Sequence, residues 1–445
     1  MKKITKKWQL ILYAAAGMGV NLLNLMMGSY LCSALLVGGF GEAAIKNQTF
    51  EQRDLVIAGL WAAFGLAAKI LDGIIDIPMA SFTDRLKTRW GRRRPSLIIG
   101  LVPMIAAYLL FLVAPDPSGA TLFNTIYYGI VLCVFYSFYT LTMVTYYATF
   151  TEIVDNEKDR NTISNTKAIF DIIYFIVGFV AVRAMLNGMN IRTVALIVLP
   201  IVLTMLIPLF MIKETKDEIG ETGSAETVNL FKSIAHTFKN KNYIIWMLVY
   251  SFMTFGVQLF LSGINEYFSF VQMNMIYVMI AAFLPVPFTF IIYNKILHKH
   301  GFGTAFRYTL LVYTIGMFAI FAISHLGLGS ARTILSIICG LVCSFAIGAL
   351  FAVAYSVPAQ LAAEEEEKTG ISNSAMYFAV QGLFSGIATG IGANVVLTAL
   401  KGTESANSGA IFYMTLIAGL GTLVSFALTF ILPKSITSMG KEKKD

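Results

Sequence analysis

The sequence predicts an all-α membrane protein whose twelve transmembrane helices form two six-helix bundles. Apolar residues make up 57% of its 445 residues and charged residues only 13%, whereas soluble globular proteins average about 45–50% and about 25%. The apolar residues are gathered into long runs, and one long polar stretch divides the runs into two sets of six. Such a chain is expected to have lipid around most of its surface.

Twelve apolar runs are long enough to cross a bilayer, which takes about 20 residues in a helix. Helices are predicted because the runs are too long for the strands of a membrane barrel and do not alternate between polar and apolar residues. The runs cover residues 9–36, 56–82, 96–115, 122–150, 166–189, 192–213, 241–263, 269–296, 304–325, 331–355, 371–399 and 408–432.

The longest polar stretch, residues 214–240, is predicted to be a cytoplasmic linker between the two bundles. Its second part, 229–240, has the pattern of a short amphipathic helix at the membrane surface. The domain prediction is therefore an N-terminal bundle over 1–213, a C-terminal bundle over 241–433 and a cytoplasmic tail over 434–445.

A weak internal repeat supports this division. Asp84 follows the second run and Gly91 comes seven residues later, while Asn294 follows the eighth run and Gly301 comes seven residues later. Basic residues lie between the two positions in both loops. This arrangement fits two related bundles that face each other across a central cavity.

Basic residues are distributed unequally between the two sides of the predicted membrane. If both termini lie on one side, that side carries 26 of the 33 lysine and arginine residues, the other side carries six, and Lys69 lies inside a span. The positive-inside rule then predicts a multi-pass protein of the cell membrane with both termini cytoplasmic. The net charge of +8 reflects this topology, so nucleic-acid binding is not expected. The N-terminal lysines precede about 28 apolar residues, more than the roughly 7–15 of a signal-peptide core, so the first span is expected to be retained.

An enzyme or an ATP-driven pump is not expected, and no cofactor is predicted. The sequence contains no HExxH, GxSxG or Walker GxxxxGK(S/T) motif. All four cysteines lie in apolar runs, and Cys339 and Cys343 are four residues apart on one helix face. They are expected to be packing residues rather than a metal site or a disulfide.

The second run contains three charged residues within two helical turns: Lys69, Asp72 and Asp76. Each charge at the centre of a membrane helix costs about 2.5–3.5 kcal/mol, so the three are expected to face a water-accessible interior. The two carboxylates are four residues apart and share a helix face. They can coordinate a small cation such as Na⁺ or share a proton. The alternative is that Lys69 and Asp72 form a packing ion pair and Asp76 lies near the cytoplasmic edge.

The loop after the second run has an ordered arrangement of charges in the sequence DRLKTRWGRRRP. Simple positive-inside charge with a Trp90 anchor would explain the basic residues, but the glycine after Trp90 and the proline that opens the next helix suggest a built turn. We predict a conformational latch in which Asp84 meets a helix N-terminus or an arginine in one state and releases it in the other. The predicted latch residues are Asp84, Arg85, Arg89, Gly91 and Arg92.

These motifs resemble the glycoside–pentoside–hexuronide:cation symporters, a melibiose permease-like family of the major facilitator superfamily. The resemblance is most specific at the Asp72-x-x-x-Asp76 pair and the DRLKTRWGRRRP loop, and it covers nearly the whole chain. Its other parts are Tyr13–Leu22, Tyr139–Thr140, Glu152, Arg160–Lys167 and Glu366–Gly370. The resemblance implies the major facilitator fold and symport of a solute with a cation by alternating access.

The resemblance also implies roles for individual residues. Asp72 and Asp76 would bind the coupling cation together with Thr140. The family's acids on spans 1 and 4 and its lysine on span 11, however, correspond here to Asn21, Met143 and Gly386, so the family's sugar-binding residues are mostly replaced.

The cation is expected to be H⁺ rather than Na⁺, with Lys69, Asp72, Asp76 and Thr140 as the coupling residues. The polar residue that the family has between its two span-2 acids is Ile75 here. Two carboxylates without that oxygen offer few ligands to Na⁺, whereas a proton needs no such cage. No metal site is predicted beyond a possible Na⁺ at Asp72 and Asp76.

Substrate contacts are predicted for polar and aromatic residues of several spans, where tyrosine rings could stack on a sugar. For each of them the alternative is an interhelical hydrogen bond, and Lys167 could simply pair with Asp171 four residues away. The predicted residues are Asn21, Asn24, Tyr146, Tyr147, Lys167, Gln258, Asn265 and Gln381.

The predicted function is symport of a sugar or glycoside-like solute with H⁺ or Na⁺. An uncoupled facilitator, or a transporter of a non-sugar amphipathic solute with the same fold, is the alternative, and a receptor that binds a solute without moving it ranks below both. The expected partners are a small-molecule solute and membrane lipid, and the protein is expected to act as a monomer.

Overall fold

The computed structural model describes most of the chain. It covers residues 4, 6–86, 88, 90–154, 157–212, 214, 240–327, 329–369, 374–404 and 409–441, and within some helices it describes the backbone but not every side chain. The described secondary structure is helical throughout, which confirms the predicted all-α class.

The chain divides into two compact units. The first comprises Met1–Val37 with Glu42–Glu226, and the second comprises Gly38–Gly41 with Thr227–Asp445. Residues 215–239 lie outside the described part, so the linker over 214–240 and its amphipathic helix stay predictions.

Six membrane spans belong to the first unit. They are α1 (Lys7–Leu35), α2 (Ala58–Arg85), α3 (Arg93–Phe111), α4 (Leu122–Glu152), α5 (Thr166–Met185, the end of a helix that begins at Glu157) and α6 (Ile191–Met211).

The second unit contains the remaining spans. They are α7 (Lys241–Phe270), α8 (Met275–Phe283 and Val286–His300, bent by 44°), α9 (Phe302–Ser324), α10 (Ser330–Thr369), α11 (Tyr377–Lys401) and α12 (Ala410–Ile431). Eleven of the described helices are long and apolar enough to cross a membrane, and the number is twelve if the bent α8 is counted as one span. With α8 counted in this way, the structure agrees with the predicted twelve spans. The α10 helix continues beyond its apolar run into the AAEEEEKT segment, whose alanine, glutamate and lysine residues favour helix.

Large apolar side chains lie on the outside of both units. Phe123 and Phe210 of the first unit are 65% and 69% exposed, and Phe288 of the second is 73% exposed. Water would penalise such exposure, whereas lipid tails do not. The surface thus matches a protein embedded in a bilayer.

Two glycines with positive φ lie in the loops before α3 and α9. Gly91 has φ +89° and Gly301 has φ +85°, in a region that L side chains rarely adopt. Each loop thus needs glycine at the position that the weak repeat singles out, while the relation between the two bundles stays a prediction.

Three spans contain one widened helical turn. These π-helical turns cover Met27–Leu31 in α1, Val177–Ala181 in α5 and Gly390–Val396 in α11. In α1, the N–H of Cys32 donates to the carbonyl of Met27, five residues back, at 3.0 Å. Such turns hold one extra residue and often lie near functional sites.

A buried ion pair joins α7 and α11 in the second unit. The Lys401 ammonium lies 2.9 Å from Oε1 of Glu266, and the two side chains are 3% and 0% exposed. The ammonium also lies 4.8 Å from the centre of the Phe40 ring, which is in the short Gly38–Gly41 segment of the same unit. Lys401 is one of the six basic residues that the charge argument assigned to the side opposite the termini, and no local pattern pointed to Glu266 as its partner.

Close contact between α1 and α6 depends on Gly19. A Cβ at this position would lie 2.1 Å from the carbonyl oxygen of Ile201 and 2.8 Å from Oγ1 of Thr204. Small residues at such contacts let membrane helices approach closely.

The variant Gly19→Ala is expected to lower the free energy of unfolding by about 1–3 kcal/mol, the usual cost of overpacking. Gly59→Ala is the matched control, because a Cβ at Gly59 meets nothing within 4 Å. Apparent melting temperatures in detergent should fall for Gly19→Ala and stay level or rise for Gly59→Ala. Equal melting temperatures for the two variants would contradict the packing of α1 against α6.

Candidate functional site

The charged residues of α2 face α4. Oγ1 of Thr140 on α4 donates a hydrogen bond of 2.7 Å to Oδ1 of Asp72, and the Lys69 ammonium lies 3.5 Å from Oδ2. The same ammonium lies 3.5 Å from the centre of the Tyr136 ring, a cation–π contact. Asp72 is thus directed into the first unit rather than toward lipid.

This arrangement gives Asp72 three neighbours of different chemistry. The threonine hydroxyl stabilises a carboxylate by donating to it, and the ammonium compensates its charge. The aromatic ring holds the ammonium beside the acid. The side chains of Lys69 and Asp72 are 17% and 25% exposed, so water or an ion can still reach the carboxylate.

Asp76 lies one turn farther along α2 and is half-buried. In the described part of the chain it has no hydrogen-bonding or ion-pair partner, although it is close enough to Asp72 for the two carboxylates to interact electrostatically. A half-buried acid beside another acid favours binding of a positive charge. The pair therefore has the chemistry of a cation or proton site.

Few oxygen atoms surround this pair. Among the described residues, oxygen atoms at the pair come from the carboxylates of Asp72 and Asp76 and from the hydroxyl of Thr140. The side chain of Ile75, between the acids, offers none. Within the described residues, no group of three or more His, Cys, Asp or Glu side chains could hold a metal ion.

A second polar cluster joins α1, α4 and α5, and we call it the α5 network. It consists of Asn21, Tyr139, Tyr147, Lys167 and Asp171. The Tyr139 hydroxyl donates to Oδ1 of Asn21 at 3.1 Å, and Asn21 also lies close enough to the side chains of Tyr147 and Asp171 to interact with both.

The charged part of the α5 network is an ion pair on α5. Nζ of Lys167 lies 2.5 Å from Oδ2 of Asp171 and 5.2 Å from the centre of the Tyr147 ring. The two charged side chains are 27% and 30% exposed. The pairing of Lys167 with Asp171 is the alternative that their spacing of four residues indicated. The network thus unites three predicted substrate residues, Asn21, Tyr147 and Lys167, with Tyr139 and Asp171, which had not been predicted as substrate contacts.

Tyr146 occupies a packing position. It is fully buried, its hydroxyl donates to the backbone carbonyls of Tyr13 at 2.5 Å and Ala14 at 3.2 Å, and its ring stacks on Tyr13. The structure therefore shows the interhelical alternative for this residue, because backbone carbonyls of α1 accept from its hydroxyl.

The predicted substrate residues of the second unit differ in their surroundings. Oε1 of Gln381 on α11 accepts a 2.9 Å hydrogen bond from the indole N–H of Trp246 on α7, which is the interhelical alternative. Asn265 is buried as well. Gln258 on α7 is half-buried, as is Asn24 on α1 in the first unit, and both remain predicted contacts.

The predicted latch is described only in part. The side chains of Asp84, Arg85 and Arg89 lie outside the described residues, so their predicted exchange of partners stays a prediction. Gly91 has the positive φ of a built turn, and Arg92 is the N-cap of α3.

An unpredicted acid occupies the start of α3. The carboxylate oxygens of Glu214 accept from the backbone N–H of Arg93 at 3.1 and 3.3 Å. A negative charge at this position compensates the free N–H groups and the dipole of the helix. Glu214 is the first residue of the predicted cytoplasmic linker over 214–240, so a contact with α3 was not expected.

The sequence profile of one family, described as "MFS/sugar transport protein", matches residues 12–408. The chain belongs to this MFS/sugar transport protein family. It is therefore a membrane transporter of the major facilitator type and not an enzyme.

Two curated relatives match shorter parts of this transporter. An uncharacterised symporter of Synechocystis sp. is 30% identical over 148 residues, which are 30% of this chain and 27% of the relative. A lactose permease of Lactobacillus helveticus is 24% identical over 172 residues, which are 37% of this chain and 26% of the relative. The matches thus span about a quarter of each relative's length.

Solved structures support the fold over nearly the whole transporter. A point mutant of the nucleoside transporter NupG has a TM-score of 0.66 at 14% identity, covering 96% of this chain and 100% of that one. A structure of proton-dependent oligopeptide transporters has a TM-score of 0.60 at 11% identity, covering 97% and 98%. At these identities the likeness concerns the fold alone.

Proposed function

We propose that this transporter is a melibiose permease-like symporter that moves a sugar or glycoside-like solute together with a cation by alternating access. In this proposal it lies in the cell membrane with both termini in the cytoplasm. The observation that carries the proposal is the position of Asp72, held between the hydroxyl of Thr140 and the ammonium of Lys69 inside a membrane span.

Coupling is supported by the cost of keeping this acid in the membrane. A charged residue in a span is expensive and is usually retained for the passage of ions, protons or substrates. A purely structural ion pair of Lys69 and Asp72 would not need Asp76 one turn away. With both acids ionised, the three charges sum to one negative charge, which one bound cation or proton neutralises.

H⁺ is favoured over Na⁺ because of the ligand set. Hard cations take about six oxygen ligands, and the geometry offers two carboxylates and one hydroxyl. A proton needs only one carboxylate whose charged form is disfavoured by a neighbouring acid.

A sugar-like solute is supported by the α5 network. It combines hydroxyl, amide, ammonium and carboxylate groups with the ring of Tyr147. Sugar hydroxyls both donate and accept hydrogen bonds, and the apolar face of a sugar ring packs on aromatic rings. One relative is named a lactose permease and another a symporter.

The test is uptake into proteoliposomes of radiolabelled lactose and methyl galactosides, with an imposed proton or sodium gradient and without ATP. Accumulation that a protonophore abolishes is expected, and a sodium ionophore should leave it unchanged. Accumulation that the sodium ionophore abolishes and the protonophore leaves unchanged would identify Na⁺ as the cation. Flux that both ionophores leave unchanged, without accumulation, would identify an uncoupled facilitator and refute symport. If none of these sugars moves in counterflow, the sugar assignment fails and a non-sugar amphipathic solute takes its place.

A further inference from the structure

From the charges of the α5 network we infer that Asp171 sets the preference of this transporter for electrically neutral solutes over their carboxylate-bearing counterparts. The inference rests on the proposed function, because it names the class of solute at the same site. Its outcome can nevertheless be separated from that function by a measurement that needs no solute.

The first step concerns the state of Lys167. A lone ammonium in this position would attract a carboxylate, as basic residues do at sites for acidic ligands. Here Lys167 already has an internal carboxylate 2.5 Å away, and its other contact is the Tyr147 ring. Its charge is thus compensated before any solute arrives.

The second step concerns the total charge. In the described part of α1, α4 and α5 that forms the network, Lys167 and Asp171 are the charged members, so their charges sum to zero. The adjoining residues on α4, Tyr139 and Thr140, connect the network to Asp72. The α2 site combines the positive charge of Lys69 with the negative charges of Asp72 and Asp76. It becomes neutral when one cation is bound.

The third step compares two solutes of the same shape. A neutral glycoside can place hydroxyls beside the ion pair, donating to the carboxylate of Asp171 and accepting from the remaining N–H groups of Lys167. A uronate would bring a second carboxylate beside Asp171, and like charges in a partly buried site repel strongly. Its own hydration would be lost without compensation.

The experiment measures equilibrium binding to the purified full-length protein of methyl glycosides of galactose and glucose and of the matching methyl uronates. The unaltered protein is expected to bind the neutral member of a pair at least tenfold more tightly. Asp171→Asn preserves the shape but frees the charge of Lys167, so the ratio should fall at least tenfold or reverse.

The double variant Lys167→Gln with Asp171→Asn is the matched control, because it restores zero charge. It should regain the preference for the neutral solute, which a merely structural role of Asp171 would not produce. A preference of the unaltered protein for uronates, or an unchanged ratio in Asp171→Asn, would overturn the inference.

A second measurement reports the charge of the site directly. Phe175→Cys, one turn beyond Asp171 on the same face of α5, is labelled with sulfonatoethyl and trimethylammonioethyl methanethiosulfonate, and the parent protein gives the background from its four cysteines. Adding Asp171→Asn should raise the ratio of anionic to cationic labelling rates several-fold. An unchanged ratio overturns the inference. A raised ratio without binding of any sugar rejects the sugar assignment but retains the role of Asp171.

Discussion

Gradient-driven accumulation of the solute is expected to disappear when Asp72 is replaced by asparagine. A membrane potential of about 100 mV is worth about 2.3 kcal/mol per transported charge, which sustains a concentration ratio of about fiftyfold. Asparagine can still accept the hydrogen bond from Thr140 but can neither bind a proton nor attract a cation as a carboxylate does. The ratio should therefore fall to about one, while solute counterflow continues.

Two further variants define this result. Thr140→Val removes one hydrogen bond to the charged acid, worth about 1.5–3 kcal/mol. Since that bond favours the ionised carboxylate, its loss should lower the proton concentration needed for half-maximal accumulation by about 10- to 100-fold without abolishing accumulation. Asp116→Asn is the control, because Asp116 lies in the loop between α3 and α4 and not in the α2 site. Hydrogen bonds from the side chain and backbone of Ser118 hold the pKa of this loop acid below its usual value. It removes a charge outside α2 and should leave accumulation intact.

The coupling proposal fails if the double variant Asp72→Asn with Asp76→Asn still concentrates solute.

The second large effect concerns the Glu266–Lys401 pair. Lys401→Met is expected to lower the free energy of unfolding by about 3–5 kcal/mol, because it leaves a fully buried carboxylate without its counter-charge. Glu266→Gln should have a similar effect from the other side. Denaturant unfolding in detergent, followed by tryptophan fluorescence, measures the change.

The double variant Glu266→Gln with Lys401→Met should recover most of the lost stability, because replacing both members of a buried pair is often neutral. Glu51→Gln is the matched control. It breaks the pair of Arg192 and Glu51, whose side chains are 30% and 32% exposed, and should cost at most about 1 kcal/mol. Additive losses in the double variant would show that the two residues do not stabilise each other.

The fold was predictable because each span can be recognised from its own residues. About 20 consecutive apolar residues are enough to identify a membrane helix, and the equal spacing of Gly91 and Gly301 behind their spans suggested two related loops, each of which has a glycine with positive φ. The three charges of α2 were equally visible, since Lys69, Asp72 and Asp76 stand out in an apolar run. Thr140 was reached only through family resemblance, and it contacts Asp72 directly.

What could not be predicted depends on partners that are distant in sequence. Asp171 shares Asn21 with α4, Glu214 caps a helix 121 positions earlier, and Glu266 meets Lys401 across 135 positions. No local pattern encodes such pairings. The sequence also cannot distinguish Tyr146 from Tyr147, although the hydroxyl of Tyr146 donates to backbone carbonyls of α1 and Tyr147 belongs to the α5 network.

The widened turn in α5 changes how its residues can be mapped. One extra residue in Val177–Ala181 shifts the helical phase by about 100°. A helical wheel drawn from the sequence through this turn therefore assigns Arg183 to a wrong stripe relative to Asp171. A π-helical segment, Gly390–Val396, also separates Gln381 from Lys401 on α11. Each half of these two helices therefore has to be drawn on a wheel of its own.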